Sequence, residues 1–179
     1  MILFINILKK AYLLFDKNRE KINEIFFEIK NESSLLLPKL EDFLKENNLN
    51  YFEIENFILV NPGSFTVRTA VLAINTINFI TKKSITPISY FELFEDFPVI
   101  KSSSKRDSFF QKDKNSLIEI IENEKILEYL KEKNISKIND SLENIEILEK
   151  IDYYDIIKKI ELKQNKKVEA LYIKKPNIC

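Results

Sequence analysis

Histidine is absent from these 179 residues, and cysteine and glycine occur once each. Without histidine there is no Ser-His-Asp or Cys-His nucleophile and no histidine-based metal site. The one cysteine, Cys179, supports neither a disulfide framework nor a cysteine cluster, and a single thiol suits a reducing compartment. With only Lys174 and Lys175 beside it, it lacks an activating environment and reads as passive. Charge of one sign is also missing. Lys+Arg and Asp+Glu both number 28, so no global basic field draws in nucleic acid. Basic stretches at 101–114 and 158–175 are interleaved with carboxylates and read as solvated faces. A long apolar run is lacking too. Met1 to Leu8 is apolar for only about eight residues where a span needs roughly twenty, and no charged region precedes it as in a signal peptide. It reads as a buried first strand of a cytoplasmic protein with no membrane association.

What remains is enough to fold. Hydrophobic residues make up 45% and charged residues 31%, which supports a real core in one domain or two small lobes. Ile2 to Leu8, Tyr12 to Phe15 and Ile22 to Ile29 are three strand-like runs in the first thirty residues. Asn31-Glu32-Ser33-Ser34 offers an N-cap for a helix over 35–44, with Pro38 in its first turn and Asn47-Asn48 at its end. Phe57 to Val60 reads as a strand buried on both faces, and Phe65 to Thr81 as a long helix. Ser84 to Ile88 reads as a strand, and Ser89 caps a brief helix, Tyr90 to Phe94. The order βββ-α-β-α-β-α over residues 1–95 predicts a mixed sheet with helices packed on it. Beyond Asp96 the pattern predicts paired strands at 99–101 and 108–111, a helix at 126–133, a strand at 135–138, a helix at 153–162 with Tyr154, Ile157 and Ile160 in phase, and a closing strand at 169–173. Leu117 to Ile121 fits either a strand or the start of a helix.

Gly63 lies in Val60-Asn61-Pro62-Gly63-Ser64-Phe65-Thr66-Val67-Arg68, between the buried strand and the long helix. A glycine kept at such a junction permits φ > 0 and close approach of another backbone or a ligand. Backbone N–H groups at the following helix start could take an anion. The stretch is neither a Walker loop nor a GxGxxG fingerprint, so a structural turn and a phosphate-binding loop both fit it. Arg68, one turn into the helix, fits a surface ion pair or a fork at an interface. Ala70 and Ala73 continue a small-residue stripe from Gly63. Leu36, Leu40 and Phe43 on the first helix, with Ala70, Val71 and Ile74 on the second, fit core positions.

Pro62-Gly63-Ser64-Phe65-Thr66-x-Arg68 resembles the Gly-Pro-Gly-Ser-Phe-Thr-Gly-x-Arg signature of the bacterial TsaB (YeaZ) family. Leu36-Leu37-Pro38 resembles that family's Leu-Leu-Pro helix, Thr86-Pro87-Ile88-Ser89 its strand before a short helix, and Glu169 to Lys174 its closing strand. The resemblance covers residues 1–95 and the last ten or so. It implies an α/β protein of the actin-like ATPase, ribonuclease H-like class, with an N-terminal lobe at 1–95 and a reduced second lobe at 96–179. It further implies a non-catalytic pseudoenzyme that binds TsaD as a heterodimer and supports threonylcarbamoyl transfer to adenosine of tRNA. TsaE would join through the complex, tRNA would be met only indirectly, and a homodimer would form where TsaD is absent. The implied partner interface is the helix pair carrying Leu36, Leu40, Phe43, Ala70, Val71, Ala73 and Ile74, with part of that surface exposed in the monomer. The loop motif is Asn61, Pro62, Gly63, Ser64, Phe65, Thr66 and Arg68. Two of the signature's glycines are Asn61 and Val67 here, and the family's first-strand Asp-Thr-Ser is Asn6-Ile7-Leu8. Losing that carboxylate implies no bound metal, no cofactor, no catalytic residue and a dead nucleotide site. Two other readings stay open, a nucleotide- or phosphate-binding protein using the Gly63 loop and a stand-alone homodimer.

Overall fold

The computed structural model describes residues 1–8, 11–27, 36–60, 65–95, 97–102, 106–138, 146–147, 151–165 and 167–169. The chain divides into two compact units, Met1–Tyr90 with Tyr153–Tyr172, and Phe91–Asp152 with Ile173–Cys179.

The first unit is built on five strands: β1 (Ile2–Asn6), β2 (Ala11–Phe15), β3 (Lys21–Phe26), β4 (Asn56–Val60) and β5 (Ser84–Ile88). Their order across the sheet is β3-β2-β1-β4-β5. β1 pairs parallel with β4, and β4 with β5; β2 runs antiparallel to both of its neighbours. β1, β2 and β4 are buried along their whole length, as suits interior strands that are apolar apart from the terminal Asn6 and Asn56. β3 forms an edge, and it carries Lys21, Asn23 and Glu24 on an exposed ribbon, which suits an unpaired side. Pro87 lies in β5, beside β4 and at the other end of the strand order, where a missing N–H is tolerated.

Alternation along β1 splits its side chains between the two faces of the sheet. Leu3 and Ile5 share one core with Tyr12, Leu14, Phe57, Leu59 and Ile85. Onto this side pack α1 (Leu36–Glu46), through Leu36, Leu40, Phe43 and Leu44, and α2 (Phe65–Thr81), through Ala70, Val71 and Ile74. Tyr12 is the centre of that contact. Its hydroxyl donates to the Leu36 carbonyl at 2.9 Å, and its ring lies 4.7 Å from Phe27 and 6.2 Å from Phe43. Each such fully buried apolar side chain contributes about 1.5–3 kcal/mol.

A late stretch of chain returns to this unit and is held by polar contacts. α4 (Tyr153–Lys159) is shorter than the periodicity over 153–162 predicts. The Arg19 guanidinium, on a residue with φ 66°, donates from one nitrogen to the carbonyls of Ile157, Lys158 and Ile160 at 3.0, 2.7 and 2.9 Å. A cation at the carbonyl end of a helix both satisfies orphan acceptors and opposes the dipole. Farther along, the Thr86 hydroxyl donates to Asn56 Oδ1 at 2.9 Å and accepts from the Lys163 N–H at 2.9 Å, while Asn56 Nδ2 donates to the Lys163 carbonyl at 3.2 Å. The Ile85 N–H then donates to the Asn165 carbonyl at 2.9 Å, forming an antiparallel bridge on β5. Finally Asn75 on α2 grips Val168 at both ends of its carboxamide, each bond 2.8 Å. Of the predicted closing strand, Glu169 belongs to no strand and 170–173 lie outside the described residues, as do the N-cap at 31–34 and Cys179.

In the second unit β6 (Val99–Ser102), β7 (Asp107–Gln111) and β8 (Glu119–Glu122) form an antiparallel sheet in that order. The stretch compatible with strand or helix is thus β8, with Ile120 in register with Phe109. α3 (Ile126–Glu132) closes a small core of Ile100, Phe110, Ile121, Ile126, Leu130 and Ile138. Two short strands, β9 (Lys137–Ile138) and β10 (Glu146–Ile147), pair parallel. Among the described residues, no helix is long and apolar enough to cross a membrane.

Candidate functional site

The sequence places its candidate loop after β4, and the parallel pairing of Ile5 with Leu59 brings the end of β1 beside the end of β4. Asn61, Pro62, Gly63 and Ser64 lie outside the described residues. Phe65, Thr66 and Arg68 form the first turn of α2, and their side chains lie outside the description.

Asn6, the last residue of β1, is 0% exposed, and its Nδ2 donates to the Tyr153 hydroxyl at 3.2 Å. Tyr153 opens α4 and stands edge-on to Phe4 at 5.4 Å and 69°, with Phe26 at 6.2 Å on another side. Burial pushes the Tyr153 phenol up to about 12, and the hydrogen bond from Asn6 pulls the other way. The end of β1 therefore presents an uncharged carboxamide engaged with an uncharged phenol. Such a pair can hold a strand end and a helix start together, but it brings no anionic oxygen to a metal and no base to a proton. The periodicity of 153–162 puts Tyr154 in phase with Ile157 and Ile160, and Tyr153 and Tyr154 are both half-buried. Tyr153 meets Asn6 and Phe4, while the Tyr154 hydroxyl donates to Glu20 at 2.7 Å in an exposed pair. Among the described residues, no group of three or more Cys, Asp or Glu is placed to hold a metal ion.

The candidate interface residues are together, but they face inward. Leu36, Leu40, Phe43, Ala70, Val71, Ala73 and Ile74 are all buried within the protomer, and all but Ala73 belong to the one core under the sheet. This corrects the expectation that part of this set stays exposed in the monomer. Its cause is the sheet itself, since Leu3, Ile5, Phe57 and Leu59 need a cover. Outward on α2 stand Leu72, Phe79 and Ile80, at 68%, 74% and 62% exposure, with Leu37 of α1 exposed as well. Leu72 and Ile80 are two i+4 steps apart through Thr76, and Phe79 flanks them, so the three share a face. The sequence does carry a signal for this second face. Seventeen residues of α2 include one charge, Arg68, and a helix apolar nearly all round is one covered on more than one side.

No protein-family model matches the sequence, and no curated protein is similar to it. The structure is similar to that of YeaZ from Pseudomonas aeruginosa, with a TM-score of 0.51 and 15% sequence identity, over 67% of this chain and 64% of that one. It is similar also to the crystal structure of an uncharacterized protein with similarity to peptidase YEAZ from Pseudomonas aeruginosa, with a TM-score of 0.51 and 13% identity over the same shares. The match thus spans 64% of the length of either relative. With its mixed five-stranded sheet between α1 and α2 on one face and α4 on the other, this chain has the actin-like, ribonuclease H-like fold of the YeaZ structures.

Proposed function

We propose that this chain is a non-catalytic subunit that docks on TsaD and supports threonylcarbamoyl transfer to adenosine of tRNA. The YeaZ-like fold supports the assignment in general, and the exposed apolar face of α2 carries the docking role. A contiguous apolar face of that kind is a frequent mark of a partner site, because covering it removes apolar area from water. Leu72 and Ile80 replace the inward-facing set as the contact residues. The Asn6–Tyr153 pair supports the non-catalytic part of the reading, since the strand end where an actin-like ATPase holds its carboxylate offers none here.

The same face can serve a second copy of the chain when TsaD is absent. Light scattering on a sizing column tests both outcomes, with the purified chain alone and mixed with TsaD from the same organism. A heterodimer is expected, one that displaces self-association and is lost in Leu72→Glu/Ile80→Glu. A chain whose mass is unchanged by TsaD refutes the docking role, and loss of self-association in the same variant then assigns the face to a homodimer.

A further inference from the structure

An open cavity of about 690 Å³ lies at the carbonyl end of α2, lined by Asn75, Asn78, Phe79, Lys82, Lys83 and Lys167. It belongs to the first unit and lies at the end of α2 away from Phe65. Its volume falls within the range that holds small organic ligands, roughly 300–1,000 Å³. Its lining is unusual for a chain with no net charge. Three ammonium groups border one space, and no carboxylate is among the described lining residues.

A single cation would serve to complement a helix dipole, which amounts to about half a charge. Lys82 already stands there, its backbone N–H bonded to the Asn78 carbonyl at 2.7 Å. Lys167 has no such local reason to be present. It is delivered by the two-bond clamp of Asn75 on its neighbour Val168, from a segment far along the chain. Its ion pair with Glu169, at 3.2 Å, is between exposed groups, which makes it weak and exchangeable. The lining is completed by Asn75, Asn78 and the Phe79 ring, with Lys82 Nζ 4.1 Å from the ring centroid. Lysine ammoniums suit phosphate oxygens as compact point charges, and an exposed aromatic ring suits a planar base.

We propose that this cavity binds a nucleotide unit, its phosphate held by Lys82, Lys83 and Lys167 and its base against Phe79. Free nucleotides and RNA strands share that chemistry, and the experiment separates them. The inference does not depend on docking to TsaD, because its test uses the full chain alone.

The probes are ADP without metal, inorganic phosphate and a short oligouridylate, each titrated into isotope-labelled protein and followed by amide and side-chain shifts. Shifts at Phe79, Lys82, Lys83 and Lys167 are expected. Affinity should fall about tenfold or more in Lys82→Gln/Lys83→Gln, as loss of two charge-assisted bonds implies. Lys45→Gln on α1 serves as the unchanged control. Phe79→Leu should weaken ADP or the oligonucleotide while leaving inorganic phosphate unaffected. Binding of ADP assigns the site to free nucleotide; binding of the oligonucleotide alone, lost in the same lysine variant, assigns it to an RNA strand. Absence of shifts with every probe, shifts unaffected by the lysine substitutions, or shifts centred on Thr66 and the loop before it would overturn the proposal.

Discussion

Replacing Asn6 by aspartate puts the reading of the β1 end under direct strain. The side chain is fully buried, and the variant differs from the parent by one oxygen in place of an NH2 group. Burial raises a carboxyl by up to about 3–5 pH units, each equivalent to about 1.36 kcal/mol. The Tyr153 hydroxyl, which now accepts from Asn6, can turn and donate to a carboxylate, returning about 1.5–3 kcal/mol. The balance is a loss of about 2–5 kcal/mol at neutral pH, or roughly 5–15 °C in Tm for a chain of this size. The direction with pH follows from linkage. A carboxyl whose folded pKa is raised leaves stability intact below its unfolded value, about 4, and loses it as pH rises beyond that. Thermal melts of Asn6→Asp and the parent should therefore agree near pH 4 and separate progressively toward pH 7. A gap that does not change with pH would refute the reasoning. So would recovery of the melting temperature on adding magnesium, which would mean that the end of β1 is a metal site needing only its charge restored.

The Arg19 contact with α4 predicts a local effect. Arg19→Met should release the last turn, raising amide exchange at 157–160 by about 5–30-fold, for a loss of about 1–2 kcal/mol, while Arg19→Lys should restore only part of it because a point charge cannot copy the guanidinium. Equal exchange in all three proteins would remove the cap from the account. Thr86→Val keeps the shape of the side chain but strips two partners from the Asn56–Lys163 contact, and should lower Tm by about 5–15 °C where Thr86→Ser does not. Finally, burial raises the phenols of Tyr12, Tyr51, Tyr129 and Tyr153, the last two to about 12. The folded state then holds these protons more tightly than the unfolded one, so stability is flat below about pH 10 and falls as pH rises toward 12. Tyrosinate absorbance that develops fully at pH 10 in the folded protein would contradict this.

The sequence showed where elements stand more clearly than which way they face. Both ends of α2 were legible because Pro62-Gly63 precedes it and a polar Lys82-Lys83 follows it, and the actual bounds are Phe65–Thr81. β4 was legible as a short apolar run of strand length, which suits a strand covered on both faces. The orientation of α2 was not legible, because apolar residues surround it and periodicity has no polar face to count from. The spacing of Ala70, Val71 and Ile74 fits core, and the sheet does take them; it is the resemblance that implies a partner surface there. α4 was overextended because its end is set by Arg19 and by the hold of Asn56 and Thr86 on Lys163, contacts that span most of the chain. A local pattern carries no trace of them. β8 was ambiguous alone and is decided by its partner β7, for the same reason.

The dependence of β1 on Tyr153 gives synthesis of this protein a definite order. On a ribosome the five strands of the sheet have all emerged once Ile88 is out, yet Phe4 and Asn6 meet their partner only when α4 follows. The delay is roughly 70 residues, or several seconds at about 5–20 residues per second. Through that interval the nascent sheet holds α1 and α2 on one side while α4 is still to come on the other. Truncated chains released in that window would be the ones most in need of a chaperone.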